Sequence, residues 1–329
     1  MERPGGPRYR RAGPPPWRNR PQRGAKPMTN QPRATTPTRY RVEHRTTYTY
    51  TEPVPVCHNE VHLVPRSLPR QRILSNAMVV DPAPASIASY LDSFGNSTAF
   101  FAIHEPHEQL IVTSTSGVEV VPPASWETLP GQAWESVRDC LTRSPGPETL
   151  DAVQFRFESP LVRTSPLLAE WAGESFTSGR HWAEAVVDLT RRINRDFAYD
   201  PAATTTSTPV EEVFRLRRGV CQDFAHLEIA CLRSLGLAAR YVSGYISNPR
   251  GPGDRELVGA DASHAWLACW GGEAGWLEVD PTNDCVPGNQ HLTLGWGRDY
   301  ADVCPIKGVY VGGGKHGMDV AVHVTPLEA

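Results

Sequence analysis

Regular alternation of polar and apolar positions begins at residue 40. In the stretch YRVEHRTTYTY, Tyr40, Val42, His44, Thr46, Tyr48 and Tyr50 fall on one face, and Arg39, Arg41, Glu43, Arg45, Thr47 and Thr49 on the other. A period of two predicts a half-buried strand, with His44 turned inward as a hydrogen-bonded structural histidine. Residues 89–120 continue as a strand, a Phe-Gly-Asn turn, a strand, a Glu-Pro-His-Glu turn and a further strand. Residues 39–121 are therefore expected to form an antiparallel β domain. His104 and His107 both belong to its second turn and lack a cysteine or acidic partner set, so they are not read as a metal pair.

The period changes after Pro122-Pro123. Residues 122–170 read as a linker with helical content and a turn cluster at 144–148. In 178–200, Trp182, Val186, Leu189, Ile193 and Phe197 recur at helical spacing, and Asp200-Pro201 ends the pattern. Thr208 as cap and Pro209 in the first turn open a second helix, which Gly219 is expected to stop. A third helix starts at Cys221, with Leu227, Ala230, Cys231, Ser234 and Leu235 as its buried stripe and Gly236 as its C-terminal cap. Glu228 lies off that stripe and is read as solvated. Residues 262–270 alternate as a strand with His264, Trp266, Ala268 and Trp270 on one face. The turn at 271–275 leads into a second strand ending at Asp280. A turn centred near residue 273 brings position 264 opposite roughly 281, within reach of Asp280.

Composition alters this picture mainly at the beginning. Residues 1–39 hold ten Lys/Arg, nine prolines and one acid, Glu2, for a net charge of +9, whereas the remainder carries −12. Residues 1–38 are expected to be a disordered basic tail, because so few apolar groups cannot offset chain entropy. No nucleic-acid partner is expected; arginines with Tyr9 and Trp17 in the tail are the one feature that could meet phosphates and bases. No run approaches the roughly 18 apolar residues of a membrane helix, so no membrane association is expected. The first residues carry no apolar stretch, and the expected location is cytoplasmic. Seven scattered cysteines without any C-x-x-C favour reduced thiols over disulfides or a zinc ribbon.

Candidate chemistry centres on Cys221. A thiol at a helix start meets unpaired N–H groups and the positive end of the dipole, which favour the nucleophilic thiolate. Gly219, two residues before it, is expected to leave room for a substrate backbone. His264 supplies a base, and Asp280 a carboxylate to hold its Nδ1–H, completing an activated-nucleophile pattern. Asp223 in the helix's first turn is read as a structural dipole partner. The Cys221 N–H is the natural first oxyanion donor, with Tyr199 or a tryptophan as the second.

The segments RRGVCQDFAHL, ARYVSGY, SHAWLACW and GWLEVDPTND, in that order, resemble the transglutaminase-like superfamily, a rearranged relative of papain-type cysteine proteases. The opening YRVEHRTTYTY and the closing HLTLGWGRDYADVCPIKGVYVGGGKH resemble its bacterial branch, which carries a β-rich N-terminal region. Cys304 stands where that branch more often shows proline. The resemblance implies an α+β fold: a Cys-bearing helix packed on an antiparallel sheet in residues 171–329, preceded by the β domain. It implies a triad of Cys221, His264 and Asp280, and cysteine-dependent acyl transfer on amide bonds of a protein or peptide substrate. The acyl group would pass through a thioester to water or to an amine. No cofactor or metal is expected, since the calcium pattern D-x-[DN]-x-[DN]-G does not occur. The alternative is a noncatalytic protein-binding module retaining the same fold, which would have no need of all three residues.

Overall fold

The computed structural model describes residues 37–143, 146–248, 257–259 and 262–327; the basic tail at 1–36 lies outside them. The first strands are β1 (Thr38–Val54), β2 (Val56–Val61), β3 (Gln71–Asp81), β4 (Ile87–Leu91), β5 (Ser97–Ile103) and β6 (His107–Val120). In β1, Tyr40, Val42, His44 and Thr46 are buried while Arg39, Arg41 and Arg45 are exposed, as the alternation requires. Helices follow: α1 (Trp134–Arg143), α2 (Pro147–Val153), α3 (Pro166–Gly173) and α4 (Trp182–Asp196). Then come β7 (Ala198–Tyr199), α5 (Val210–Leu216), β8 (Arg218–Gly219) and α6 (Cys221–Ser234). The chain closes with β9 (Ala239–Ile246), β10 (His264–Trp270), β11 (Trp276–Val279), β12 (His291–Gly297), β13 (Ile306–Val311) and β14 (His316–Leu327).

Two sheets, β14-β1-β6-β3 and β13-β2-β5-β4, enclose one β core in which Phe101 and Ile103 meet Leu110 and Val112. Two sequence expectations change here. The Glu-Pro-His-Glu turn does not close a hairpin: β5 and β6 lie in different sheets, and the turn carries the chain between them. The last two strands, assigned by the sequence to residues 171–329, return to the first unit. β14 pairs with β1 from Arg39↔Leu327 to Tyr50↔His316, and β13 pairs with β2. Such long-range pairings leave no local trace in the sequence.

The second unit is built on the antiparallel sheet β11-β10-β9-β12. Helix α6 packs against it, with Leu227, Ile229 and Ala230 in one core with Ala265, Leu267 and Cys269. Helices α3, α4 and α5 cover its other sides, so every residue from Gln222 to Arg233 is buried. Helix α5 ends at Arg217, in the left-handed conformation (φ 56°), two residues ahead of Gly219. The Arg217 guanidinium lies 4.1 Å from the Phe214 ring centre and 4.5 Å from that of Phe197, contacts that offset the strained backbone. Among the described residues no helix is long and apolar enough to cross a membrane.

The units share a polar seam. His44 Nδ1 meets the Tyr245 hydroxyl at 2.9 Å and its Nε2 meets Thr46 Oγ1 at 2.9 Å. The Gln71 amide brackets Thr293, donating to its carbonyl (2.7 Å) and accepting from its N–H (2.8 Å). Arg66 stacks 3.6 Å from the centre of Trp296, and Arg240 lies over the Trp276 and Trp296 rings at 4.1 and 3.6 Å.

Candidate active site

Cys221 is the first residue of α6, after an extended Val220. Asp223 reaches back over this turn: its Oδ2 accepts from Val220 N–H (2.8 Å) and Thr204 Oγ1 (2.6 Å). A Cβ on Gly219 would sit 2.6 Å from that oxygen. The glycine thus makes room for Asp223, not for a substrate backbone as the sequence suggested. Burial raises the Asp223 carboxyl, and these two hydrogen bonds oppose the rise. Both carboxylate and glycine fix the turn that presents the thiol.

Strand β7 runs parallel to β8, which sets Tyr199 beside Gly219. Tyr199, Tyr241 and Tyr300 have phenols raised chiefly by burial, and the nearby Cys221 thiol adds to each. Tyr199 is exposed, Tyr300 half-buried and Tyr241 buried. Three tyrosines thus lie within electrostatic reach of the thiol, and of these Tyr199 is the exposed one.

His264 begins β10. The β10–β11 ladder pairs Leu267↔Val279 through Trp270↔Trp276, which centres the turn on residue 273. Beyond it Asp280 leaves the ladder and bridges to Cys285. The His264 Nε2 and Asp280 Oδ2 atoms lie 2.8 Å apart with both side chains fully enclosed. The ring therefore meets Asp280 through Nε2, not through Nδ1 as expected. The Nδ1 edge lies against Gly259 and has no hydrogen-bond partner among the described residues. Burial opposes charge on His264, but the Asp280 carboxylate and the neighbouring Cys221 thiol override it and lift the imidazole to about 10.

Asp280 is held from five directions. Its Oδ1 accepts the backbone N–H groups of Thr282 (2.9 Å) and Asn283 (3.2 Å). Its Oδ2 accepts from His264, from Asn283 Nδ2 (2.8 Å) and from His291 Nε2 (3.2 Å). Burial would raise this carboxyl, yet His264 and His291 reverse the effect and hold it far below the usual carboxylate range. His291 is pushed down, first by burial and further by the His264 charge, although Asp280 pulls the other way. One carboxylate thus serves two imidazoles, one charged and one neutral. The three ligand atoms of His264, Asp280 and His291 lie within 4.8 Å of one another. The two imidazole hydrogen bonds to Oδ2 account for that closeness without a metal.

Below this group lies Glu228, fully buried where the sequence reading had it solvated. Its Oε1 accepts from Thr190 Oγ1 at 2.7 Å, and its Oε2 has no hydrogen-bond partner among the described residues. Burial, reinforced by the Asp280 charge, raises its carboxyl well above the usual range. An acid biased towards its neutral form therefore sits beneath one biased towards ionisation. Sequence reasoning also passed over Asn283 and His291. The Pro-Thr-Asn-Asp turn after Asp280 is the signal that could have found Asn283, whereas His291 reaches the site through β12 and has no local signal. Asp261, which flanks the site in sequence three residues before His264, lies outside the described residues. His107 does not pair with His104: its Nδ1 bonds the Glu105 carbonyl at 2.8 Å. Cys304 faces the Tyr300 hydroxyl at 3.3 Å.

Residues 40–119 match the bacterial transglutaminase-like N-terminal region, and residues 170–281 match the transglutaminase-like superfamily. An uncharacterized protein of Mycobacterium tuberculosis is 41% identical over 298 residues, covering 88% of this chain and 93% of that one. One of Mycobacterium leprae is 36% identical over 294 residues, covering 88% and 99%. A protein-glutamine gamma-glutamyltransferase of Pseudomonas aeruginosa is 38% identical over 106 residues, 31% of this chain and 16% of its own. A solved structure from Cytophaga hutchinsonii, described as a candidate cysteine protease, shares the fold with a TM-score of 0.70. It has 21% identity, over 89% of this chain and 92% of that one. Helix-borne thiol, sheet-borne histidine and β-rich first unit together place this chain in the transglutaminase-like superfamily, with the bacterial transglutaminase-like N-terminal region.

Proposed function

We propose that this protein is an enzyme of cysteine-dependent acyl transfer on amide bonds, with Cys221 as nucleophile, His264 as acid and base, and Asp280 as its orienting carboxylate. The observation that carries the reading is the enclosed His264–Asp280 pair beside a thiol at a helix start. With a proton held on His264, the Cys221 thiolate adds to the amide carbonyl carbon, and the negative charge passes to the carbonyl oxygen. The Cys221 N–H at the helix start is one donor for that oxyanion and Tyr199 is the candidate second. Collapse of the tetrahedral adduct breaks the C–N bond. His264 gives its proton to the departing amine, leaving a thioester on Cys221. Water or a second amine then adds to the thioester, His264 takes its proton, and the thiolate leaves. Asp280 stabilises the imidazolium before the amine departs and again once the acceptor has given up its proton.

The substrate is a protein or peptide, and the glutamyltransferase name of the Pseudomonas aeruginosa relative supports a glutamine side chain as the acyl donor. Seven scattered cysteines without a C-x-x-C pair support a reducing compartment, the cytoplasm. A glutamine-bearing peptide incubated with a fluorescent amine tests the reading. Amine incorporation, or ammonia or peptide release without it, is expected from the native protein and not from Cys221→Ala. No turnover of a panel of glutamine and peptide substrates would favour the noncatalytic binding module.

A further inference from the structure

We propose that Arg70, supplied by the N-terminal β unit, is a positioning residue for His264, acting through Glu278 and Trp266. The inference rests on the reading of His264 as the base and is independent of the acyl acceptor.

The His264 ring stacks on the Trp266 indole, with centres 6.1 Å apart and planes 26° from parallel. Trp266 is fully buried, and His291 packs edge-on against it at 5.2 Å. A Cβ on Gly244 would collide with this indole and with the Leu292 carbonyl, so the ring fills the space that a side chain would take. One fixed polar contact sets the indole in its plane: Nε1 donates to Glu278 Oε2 at 2.8 Å. That same oxygen receives Arg70 Nη2 at 2.7 Å, in an ion pair whose side chains are 16% and 18% exposed. Burial would raise the Glu278 carboxyl, but Arg70, the Trp266 N–H and Arg240 hold it below its usual range.

Arg70 comes from the other unit and is itself tied down. Its carbonyl accepts the Val121 N–H at 2.7 Å. Its neighbour Gln71 is bonded at both ends of its amide to Thr293 on β12. Without Arg70, Glu278 becomes an enclosed carboxylate lacking its ion-pair partner, and it gains by moving or by taking a proton. Either change weakens its bond to the indole, and the plate against which His264 lies becomes free to tilt. A tilt of an ångström at the imidazole is enough to lower reactivity by a large factor. The β unit is thereby a clamp on the reaction site, and its presence with the core has a mechanical reason.

The test is a double-mutant cycle read at the thiol. Rates of Cys221 alkylation by iodoacetamide, followed by peptide mapping, are measured for the native chain, Arg70→Met, Trp266→Phe and the double variant. Each single change is expected to slow alkylation roughly tenfold, the double change no more than either alone, and Arg70→Lys to recover part of the loss. Arg70 and Trp266 are linked in this account only through Glu278, so non-additivity in rate separates positioning from general destabilisation. Native rates in Arg70→Met, or losses that multiply in the double variant, overturn the proposal. Should Arg70→Met not fold, Trp266→Phe keeps an aromatic face, smaller than the indole, and removes the N–H, and a native rate there overturns it equally. If Cys221 of the native chain is itself unreactive, the reading of the site fails; if only the variants match the native chain, this inference alone fails.

Discussion

Two cysteine–histidine pairs among the described residues differ in everything except proximity. In the β unit, Cys57 Sγ lies 3.7 Å from His107 Nε2, and Asn59 Nδ2 donates to the sulfur at 3.2 Å. The orienting group for His107 is a neutral carbonyl, that of Glu105. Cys57 sits within strand β2, 2% exposed, and burial raises its thiol. In the second unit, Cys221 stands at a helix start, and the ring beside it is backed by an ionised carboxylate that lifts its proton affinity. The comparison teaches that a thiol near an imidazole is common packing. A helix terminus on the sulfur and an enclosed charge behind the ring make it chemistry.

The largest break in the contrast comes from removing that charge. Asp280→Asn is expected to lower turnover by about 10²- to 10⁴-fold with the fold retained, since an amide cannot balance the imidazolium. Cys221→Ala should lose more. Steady-state kinetics of both variants check this, and a fully active Asp280→Asn would show that another group orients His264.

A smaller effect is expected at Glu228. Its folded value is raised, so as pH rises past about 4.5 the unfolded chain releases this proton more readily than the folded chain. Stability is therefore lost as pH rises from the unfolded value towards the folded one. Glu228→Gln removes that loss: its melting temperature should match the native one near pH 4 and exceed it as pH rises above that. Melting curves across this range check the sign, and a variant less stable at pH 9 would mean that the ionised carboxylate is required.

The smallest effect falls on the other pair. Cys57→Ala is expected to leave turnover within twofold of native while costing about 1–2 kcal/mol of stability from a small buried cavity, measured by denaturant unfolding. A large loss of turnover would bring the β-unit pair into the chemistry.

What the sequence could show followed the range of the interactions. The β1 alternation, the α4 stripe, the start of α6 at Cys221 and the β10–β11 register all arise within about 20 residues, and each was legible. Because that hairpin centres on residue 273, the nearness of His264 to Asp280 could be read from spacing. The ring edge that meets Asp280 could not, because it depends on side-chain rotation and on the Gly259 turn. Glu228 was misread because α6 is enclosed all round, and its partner Thr190 comes from α4, 38 residues away. His291, Arg70 and the return of β13 and β14 escaped for the same reason: each acts across the whole chain. Gly219 was assigned to a substrate when its neighbour Asp223 needed the space.

The most direct test of the central claim sets Cys221 against Cys140, an exposed thiol on α1, where Cys221 is only partly accessible. Limiting iodoacetamide at pH 6, where an ordinary thiol is almost wholly protonated, is followed by mass mapping of all seven cysteines. The account predicts that Cys221 is alkylated first, ahead of the more accessible Cys140, and that Asp280→Asn removes this advantage. Alkylation of Cys140, Cys304 or Cys57 ahead of Cys221 in the native protein would contradict it.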